Sequence, residues 1–292
     1  MPQNIYPISI IIPAYNEEKT IVAAIDDIKS ELSNKFEYEL IVVNDGSTDR
    51  TKEVLSQIDG INFLNHKMNL GYSSSLKTGI NNARYDWILT TDGDGSHLAN
   101  QISRLTPFMD EYDLIIGART SKDAYDTSSR RFGRNIIAIF AQYISHSKID
   151  DINSGFRLFK KSLSKRFWHL FPERFSFSTT ITVAAHVNHY AVKYVPIEVH
   201  KRKGGSSSIK PAKDFLGFLN IIARLAIYFK PLKVFVPLSL LFFIIAISTV
   251  MIDYFLTGMI LDTTFAILVT TGIQMLVFGF IAEMIVKRFY ND

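Results

Sequence analysis

Two carboxylates one residue apart, Asp92 and Asp94 on either side of Gly93, close the apolar run Trp87-Ile88-Leu89-Thr90-Thr91. Acids at the end of a strand can hold a divalent cation. Small hard cations take oxygen ligands, keep several waters and complete their shell with substrate phosphates. The pair therefore reads as a site for Mg2+ or Mn2+ and a phosphorylated ligand. A calcium loop of the EF-hand type needs Gly at its sixth position and Glu at its twelfth, but counted from Asp92 these are His97 and Ser103. Asp and Gly are also ordinary turn residues, so the pair gains its meaning from the elements around it.

Those elements repeat one pattern. The β-branched run Ile8 to Ile12 stops at Pro13-Ala14-Tyr15-Asn16-Glu17-Glu18, and a second run, Leu40 to Val43, stops at Asn44-Asp45-Gly46-Ser47-Thr48-Asp49. Each polar loop leads into a segment that suits a helix, such as Glu17 to Glu31 or Ser73 to Ala83. Further apolar runs near Ile61, Trp87 and Leu114 continue the alternation, which predicts an α/β fold with a largely parallel sheet covered on both faces. Ligands of such sheets bind at the carboxyl ends of the strands. The loops after the first, second and fourth runs should therefore meet on one rim.

The motifs Pro13-Ala-Tyr-Asn-Glu-Glu18, Val42-Val-Asn-Asp-Gly-Ser-Thr-Asp49, Asn69-Leu-Gly71, Asp92-Gly-Asp94, Gly117-Ala-Arg119 and Asp151-Ile-Asn-Ser-Gly-Phe-Arg157, with the basic loop Arg202 to Lys210, follow one another over about residues 8 to 213. In this order they resemble a family 2 glycosyltransferase of the GT-A (Rossmann-like) fold, of the polyprenyl-phosphate or dolichyl-phosphate-mannose synthase type. The resemblance implies inverting transfer of a sugar from a UDP- or GDP-sugar to a polyprenyl phosphate. It makes Asp94 the first metal ligand, with Asp92 bridging metal and ribose or coordinating beside it. It makes Pro13, Ala14, Tyr15 and Glu17 the nucleoside cradle and Asp45 a base contact. Relatives often carry an amide two residues after the second Asp, where this chain has Ser96, and a second acid before Asp45, where it has Asn44. The turn Asp45 to Asp49 also has a plain structural reading, as a cap for the helix that follows.

A lipid phosphate is anionic near neutral pH, so its attack on the sugar needs orientation and charge screening more than proton removal. Arg119, Arg131 and Arg134 are candidates for that clamp, because a guanidinium matches phosphate oxygens in pairs. Asp151 resembles the family's acid before Ser-Gly-Phe-Arg, which orients the acceptor or acts as a base. Arg202 and Lys210, around the Gly204-Gly-Ser-Ser-Ser208 hinge, would close over the donor diphosphate, and Lys203 can share that role. Lys and Arg beside a membrane are also expected simply from attraction to anionic lipids.

Composition fits a membrane-attached enzyme. Of 292 residues, 47% are hydrophobic, and the net charge of +4 is too mild to argue for nucleic acid. Cysteine is absent, which excludes disulfides and thiolate metal sites. The stretches Val234 to Ile252 and Thr263 to Ala282 carry no charge and approach the length that crosses a hydrocarbon core. Lys230, Lys233, Lys287 and Arg288 flank them, while Asp253 to Asp262 has no basic residue, so the positive-inside rule places both termini in the cytoplasm. Met1 to Pro7 lacks the apolar core of a signal peptide, which keeps the catalytic half on the same side.

Pro211 to Lys230 carries apolar residues at helical spacing, among them Phe215, Leu219, Ile222 and Ile227, and reads as an amphipathic helix in the interface. The expected organisation is a catalytic domain over 1–210, an interface helix over 211–233 and a two-helix anchor over 234–292. Expected partners are the nucleotide sugar, a dolichyl or undecaprenyl phosphate and membrane lipids; a homo-oligomer is left open. A processive synthase would carry Gln-x-x-Arg-Trp, but the last Trp, Trp168, follows Ser164-Lys-Arg-Phe167. A non-catalytic scaffold would have no need of the Asp pair.

Overall fold

The computed structural model describes residues 6–33, 35, 37–95, 98–119, 138–173, 177–199, 224, 227–257 and 262–291. By internal contacts the chain divides into two compact units, Met1–Phe215 and Leu216–Asp292.

In the first unit, β1 (Ile8–Ala14) alternates its side chains between two covered faces. Ile8, Ile10 and Ile12 join Ile21, Ile25, Ile28 and Leu32 of α1 (Ile21–Leu32) in the core. On the other face Ile11 meets α3 (Tyr72–Asn82) at Gly79, where an added Cβ would lie 2.4 Å from Ile11. A strand buried on both sides needs such a continuous apolar run. The segment Glu17 to Thr20 is a turn, with the amides of Thr20 and Ile21 donating to the Glu17 carbonyl, so the first helix starts later than its pattern suggests.

The other elements of this unit are β2 (Tyr38–Asn44), α2 (Thr51–Leu55), β3 (Asn62–Asn65), β4 (Trp87–Thr90), α4 (Ile102–Leu105), β5 (Leu114–Arg119), β6 (Arg157–Lys160), α5 (Lys161–Arg166), α6 (Phe177–Val187) and β7 (Val192–Ile197). The strands form one seven-stranded sheet in the order β3-β2-β1-β4-β6-β5-β7. Every pairing is parallel except those of β6, which runs against both β4 and β5. The chain winds from β1 outward through β2 and β3, then returns to β4 on the other side. That reversal leaves a crevice at the β1 and β4 carboxyl ends, the place where open α/β sheets bind ligands. The antiparallel β6 matters equally. Because Thr90 faces Arg157, the start of β6 lies beside the end of β4, and the Thr90 hydroxyl donates to the Gly155 carbonyl at 2.7 Å.

The second unit contains α7 (Leu232–Thr257) and α8 (Asp262–Asn291), two helices long and apolar enough to cross a membrane. They pack through small residues. A Cβ at Gly272 would come within 2.8 Å of Phe243 and one at Gly279 within 2.7 Å of Phe235, and the buried Ser239 hydroxyl donates to the Gly272 carbonyl at 2.7 Å. Close backbone approach through Gly and Ser is how helices associate where no hydrophobic drive separates them from lipid. Their outer faces expose Leu240, Ile244, Ile247, Phe278 and Met284. Glu283 and Lys287 pair at 3.7 Å one turn apart, as their spacing predicts.

Candidate active site

The crevice between β1 and β4 opens into a cleft of about 610 Å³. Pro13, Ala14, Tyr15 and Glu17 line it from the loop after β1, Asp45 from the end of β2, and Asp92, Gly93 and Asp94 from the end of β4. Asn69, Gly71 and Tyr72 enter from the start of α3, and Asn153 and Gly155 from the approach to β6. The rim expected from the sequence therefore brings its three loops together.

The side formed by β1 and β2 is held by its own hydrogen bonds. Asn16, with a φ of 57°, receives the Thr48 amide on its side-chain oxygen at 2.8 Å and donates its own amide to the Ser47 hydroxyl at 3.0 Å. The Glu18 amide donates to Asp49 and the Arg50 amide to Glu18, at 3.3 and 3.1 Å. Asp49 also accepts the Thr51 amide at 3.0 Å. Ser47 and Thr48 thus tie one loop to the other rather than capping α2, whose first turn is served by Asp49. Asn44 is buried and bonded to Asn65 at 2.7 Å and to the Ser47 hydroxyl, so the amide in place of an acid belongs to the scaffold of the loop.

Asp45 faces the cleft and is also a structural anchor. Its carboxylate accepts the Leu70 and Gly71 amides at 3.0 and 2.8 Å, and His66 Nδ1 lies 2.8 Å away with Nε2 against the Thr78 hydroxyl at 2.9 Å. Gly46 permits the turn that places it: its φ is 65° and a Cβ would strike the Met68 backbone at 2.4 Å.

Asp94 is buried and Asp92 half-buried at the cleft floor. No three Asp, Glu, His or Cys side chains cluster among the described residues. Two carboxylates open to a cleft are nonetheless the donor set expected for Mg2+ or Mn2+, which draw the rest of their shell from water and phosphate. The residues present fit such an ion.

Arg119, at the end of β5, grips Asp151 with both edges of its fork: Nε to Oδ2 at 2.7 Å and Nη2 to Oδ1 at 2.9 Å. Burial would raise the Asp151 carboxyl, but the hydrogen bonds and charge of Arg119 outweigh it and hold the group below its usual value. Neither residue is part of the cleft lining, which takes Asn153 and Gly155 from the same loop. Ser96, Arg131, Arg134, Arg202, Lys203 and Lys210, with most of the interface helix expected over 211–233, lie outside the described residues.

Three side chains that the sequence motifs leave without a role support the cleft, and of these Tyr72 lines it. His66 supports Asp45. Arg157 is fully buried and donates to the Ser154 and Ser178 carbonyls and the Thr182 hydroxyl, the last two at 2.9 and 3.0 Å. Burial lowers its guanidinium to about 10, which leaves it a cation at neutral pH. Tyr72 directly follows the Asn69-Leu-Gly71 motif, and burial first, then the Asp92 charge, push its phenol well above the ordinary value.

A model described as glycosyl transferase family 2 matches residues 9–168, and one described as the GtrB C-terminal hairpin matches residues 230–287. A dolichyl-phosphate beta-glucosyltransferase of Dictyostelium discoideum is 33% identical over 241 residues, covering 73% of each chain. A dodecaprenyl-phosphate galacturonate synthase of Rhizobium johnstonii is 25% identical over 308 residues, covering 98% of this chain and 89% of its own. Among solved structures, glucosyl-3-phosphoglycerate synthase from Mycobacterium tuberculosis, in complex with Mn2+, UDP and glucosyl-3-phosphoglycerate, superposes with a TM-score of 0.57 at 18% identity, over 76% of this chain and 79% of that one.

Proposed function

The chain belongs to the family 2 glycosyltransferases, and from that premise we propose that it transfers a sugar from a nucleotide-diphosphate sugar to a polyprenyl phosphate at the cytoplasmic face of a membrane. One observation carries the reading most: a cleft at the β1 and β4 crevice holds an Asp pair, on a chain that also has two helices long enough to cross a membrane. Relatives named for dolichyl-phosphate and dodecaprenyl-phosphate products support the acceptor class. Because one is named for glucose and the other for galacturonate, the sugar is not set by what the relatives share.

In this reading the loop Pro13 to Glu17 seats the nucleoside, and Asp45 completes the seat both directly and by fixing the Leu70–Gly71 turn. Asp92 and Asp94 would hold Mg2+ or Mn2+, which as a Lewis acid neutralises charge developing on the leaving diphosphate and contributes several kcal/mol. The acceptor phosphate oxygen attacks the anomeric carbon from the face opposite the diphosphate; a C–O bond forms as the bond to the diphosphate breaks, and the configuration inverts. Asp151, held ionised by Arg119, is a weak base and fixes that guanidinium; the pair lies outside the cleft lining, and its role in this reading is to meet the acceptor phosphate beside the donor site. Arg131 and Arg134 add to that clamp, and Arg202 and Lys210 cover the donor diphosphate. The Lys230, Lys233, Lys287 and Arg288 flanks orient both ends of the hairpin to the cytoplasm.

The test incubates membranes containing the protein with a panel of UDP- and GDP-sugars and a polyprenyl phosphate, with and without EDTA, and analyses the lipid fraction. A metal-dependent polyprenyl-phosphate monosaccharide is expected. Transfer only to water, or to a growing glycan, would overturn the reading.

A further inference from the structure

Gly71, with a φ of 100°, turns the chain into α3, and Tyr72 is the first residue of that helix. The Tyr72 hydroxyl is buried and has no hydrogen-bond partner among the described residues. Buried polar atoms are nearly always paired, so one left unpaired at a cleft asks for a reason. Its surroundings supply one. A Cβ built on Gly155 would lie 2.9 Å from both Asp92 carboxylate oxygens and 3.1 Å from the Tyr72 hydroxyl. The space that glycine leaves is thus where the carboxylate and the phenol come together. Arg157 spends its donors on the Ser154 and Ser178 carbonyls and the Thr182 hydroxyl, and the Asp92 carboxylate is the acceptor beside the phenol.

We propose that Tyr72 is a positioning residue for the metal centre: its O–H donates to the Asp92 carboxylate and fixes the rotation in which Asp92 presents an oxygen to the ion. The terminal torsion of an aspartate is soft, so a donor beside the carboxylate is what holds it in one rotation. An ordinary phenol is protonated at neutral pH and keeps its hydrogen for this donation. Partners of metal ligands tune affinity in this way, and losing one typically weakens binding 10- to 100-fold. The inference rests on the reading of Asp92 and Asp94 as metal ligands.

The experiment uses the full chain in detergent. Mn2+ is titrated in the presence of UDP and followed by electron paramagnetic resonance, and UDP affinity is measured separately by calorimetry in EDTA. Tyr72→Phe should weaken Mn2+ binding at least about tenfold, leave UDP affinity in EDTA unchanged, and regain its turnover at high Mn2+. Gly155→Ala, which crowds both partners, should shift Mn2+ affinity the same way and carries the test if Tyr72→Phe does not fold. Wild-type Mn2+ affinity in Tyr72→Phe overturns the proposal. So does an equal loss of UDP affinity in EDTA, which would mean that the phenol touches the nucleotide. If Asp94→Ala binds Mn2+ as tightly as the wild type, it is the metal reading that falls, whatever Tyr72 does.

Discussion

The two units solve opposite problems with polar groups. In the first, charged side chains are buried at the rim of the sheet, and each is met by chosen partners: Asp45 by two amides and His66, Asp151 by Arg119, Arg157 by carbonyls and a hydroxyl. In the second, large apolar side chains are exposed, one buried serine bonds a backbone carbonyl, and Glu283 pairs with Lys287. Buried charge demands exact partners because an unmet one is costly, whereas a surface made for lipid demands only length and packing. Chemistry should therefore break with single atoms in the first unit, and the second should tolerate polar exchange as long as its small residues remain.

The largest effect is expected at the cleft floor. Asp94→Ala should lose roughly a thousandfold in turnover at any metal concentration, the equivalent of several kcal/mol of transition-state stabilisation, and Asp92→Ala somewhat less. Initial rates across a Mn2+ series check this. Full activity in EDTA would remove the metal from the scheme.

Removing the two long helices tests the comparison directly. A chain ending at Lys230 should fold and bind nucleotide in calorimetry as the full chain does, because every lining residue of the cleft lies upstream. Its turnover of lipid acceptor should fall roughly a hundredfold, since the acceptor is no longer delivered at high local concentration. Failure to bind any nucleotide would mean that the first unit does not stand alone.

Arg119 comes next. Arg119→Lys keeps the charge but loses the two-pronged grip on Asp151, worth about 1.5–3 kcal/mol for a charged hydrogen bond, or roughly 10- to 100-fold in acceptor kcat/KM. The pH dependence adds a sign. With its folded value depressed, Asp151 is ionised above its unfolded value near 4; the stability it contributes is present there and is lost as pH falls through the lower folded value. The kcat/KM profile should show no limb from Asp151 above about pH 5, and one in that range would mark it as a proton acceptor.

What the sequence made legible follows the reach of each interaction. The Asp pair, the β1 and β2 loops and the apolar helices are local patterns, and each appears where its pattern predicts. β6 was hard to see because Arg157-Leu-Phe-Lys160 is four residues long and buries an arginine, and its reversed direction comes from pairing with β4 and β5 far away in the chain. The double duty of Asp45 was invisible for the same reason: its partners His66, Leu70 and Gly71 lie 21 to 26 residues away. Tyr72 has a local sign, an aromatic hydroxyl just after a glycine that opens a helix, but only the approach of Gly155 gives it a meaning.

The smallest effect is expected in the hairpin. Glu283 lies near the end of the second apolar helix, and a carboxylate at mid-bilayer would cost about 2.5 to 3.5 kcal/mol on insertion scales. One turn from Lys287 it can instead reach the headgroups and pair, an interaction worth only about 0.2–0.5 kcal/mol on a helix surface. The observed 3.7 Å pairing, with Lys287 largely exposed and Glu283 less so, fits that position. Glu283→Gln should therefore insert with the same topology, by protease protection of tagged termini, and keep most of its activity on a short, water-dispersed acceptor. A large loss confined to long-chain acceptors, with normal insertion, would show that the carboxylate guides the polyprenyl chain, and that this unit too contains a polar group whose exact placement matters.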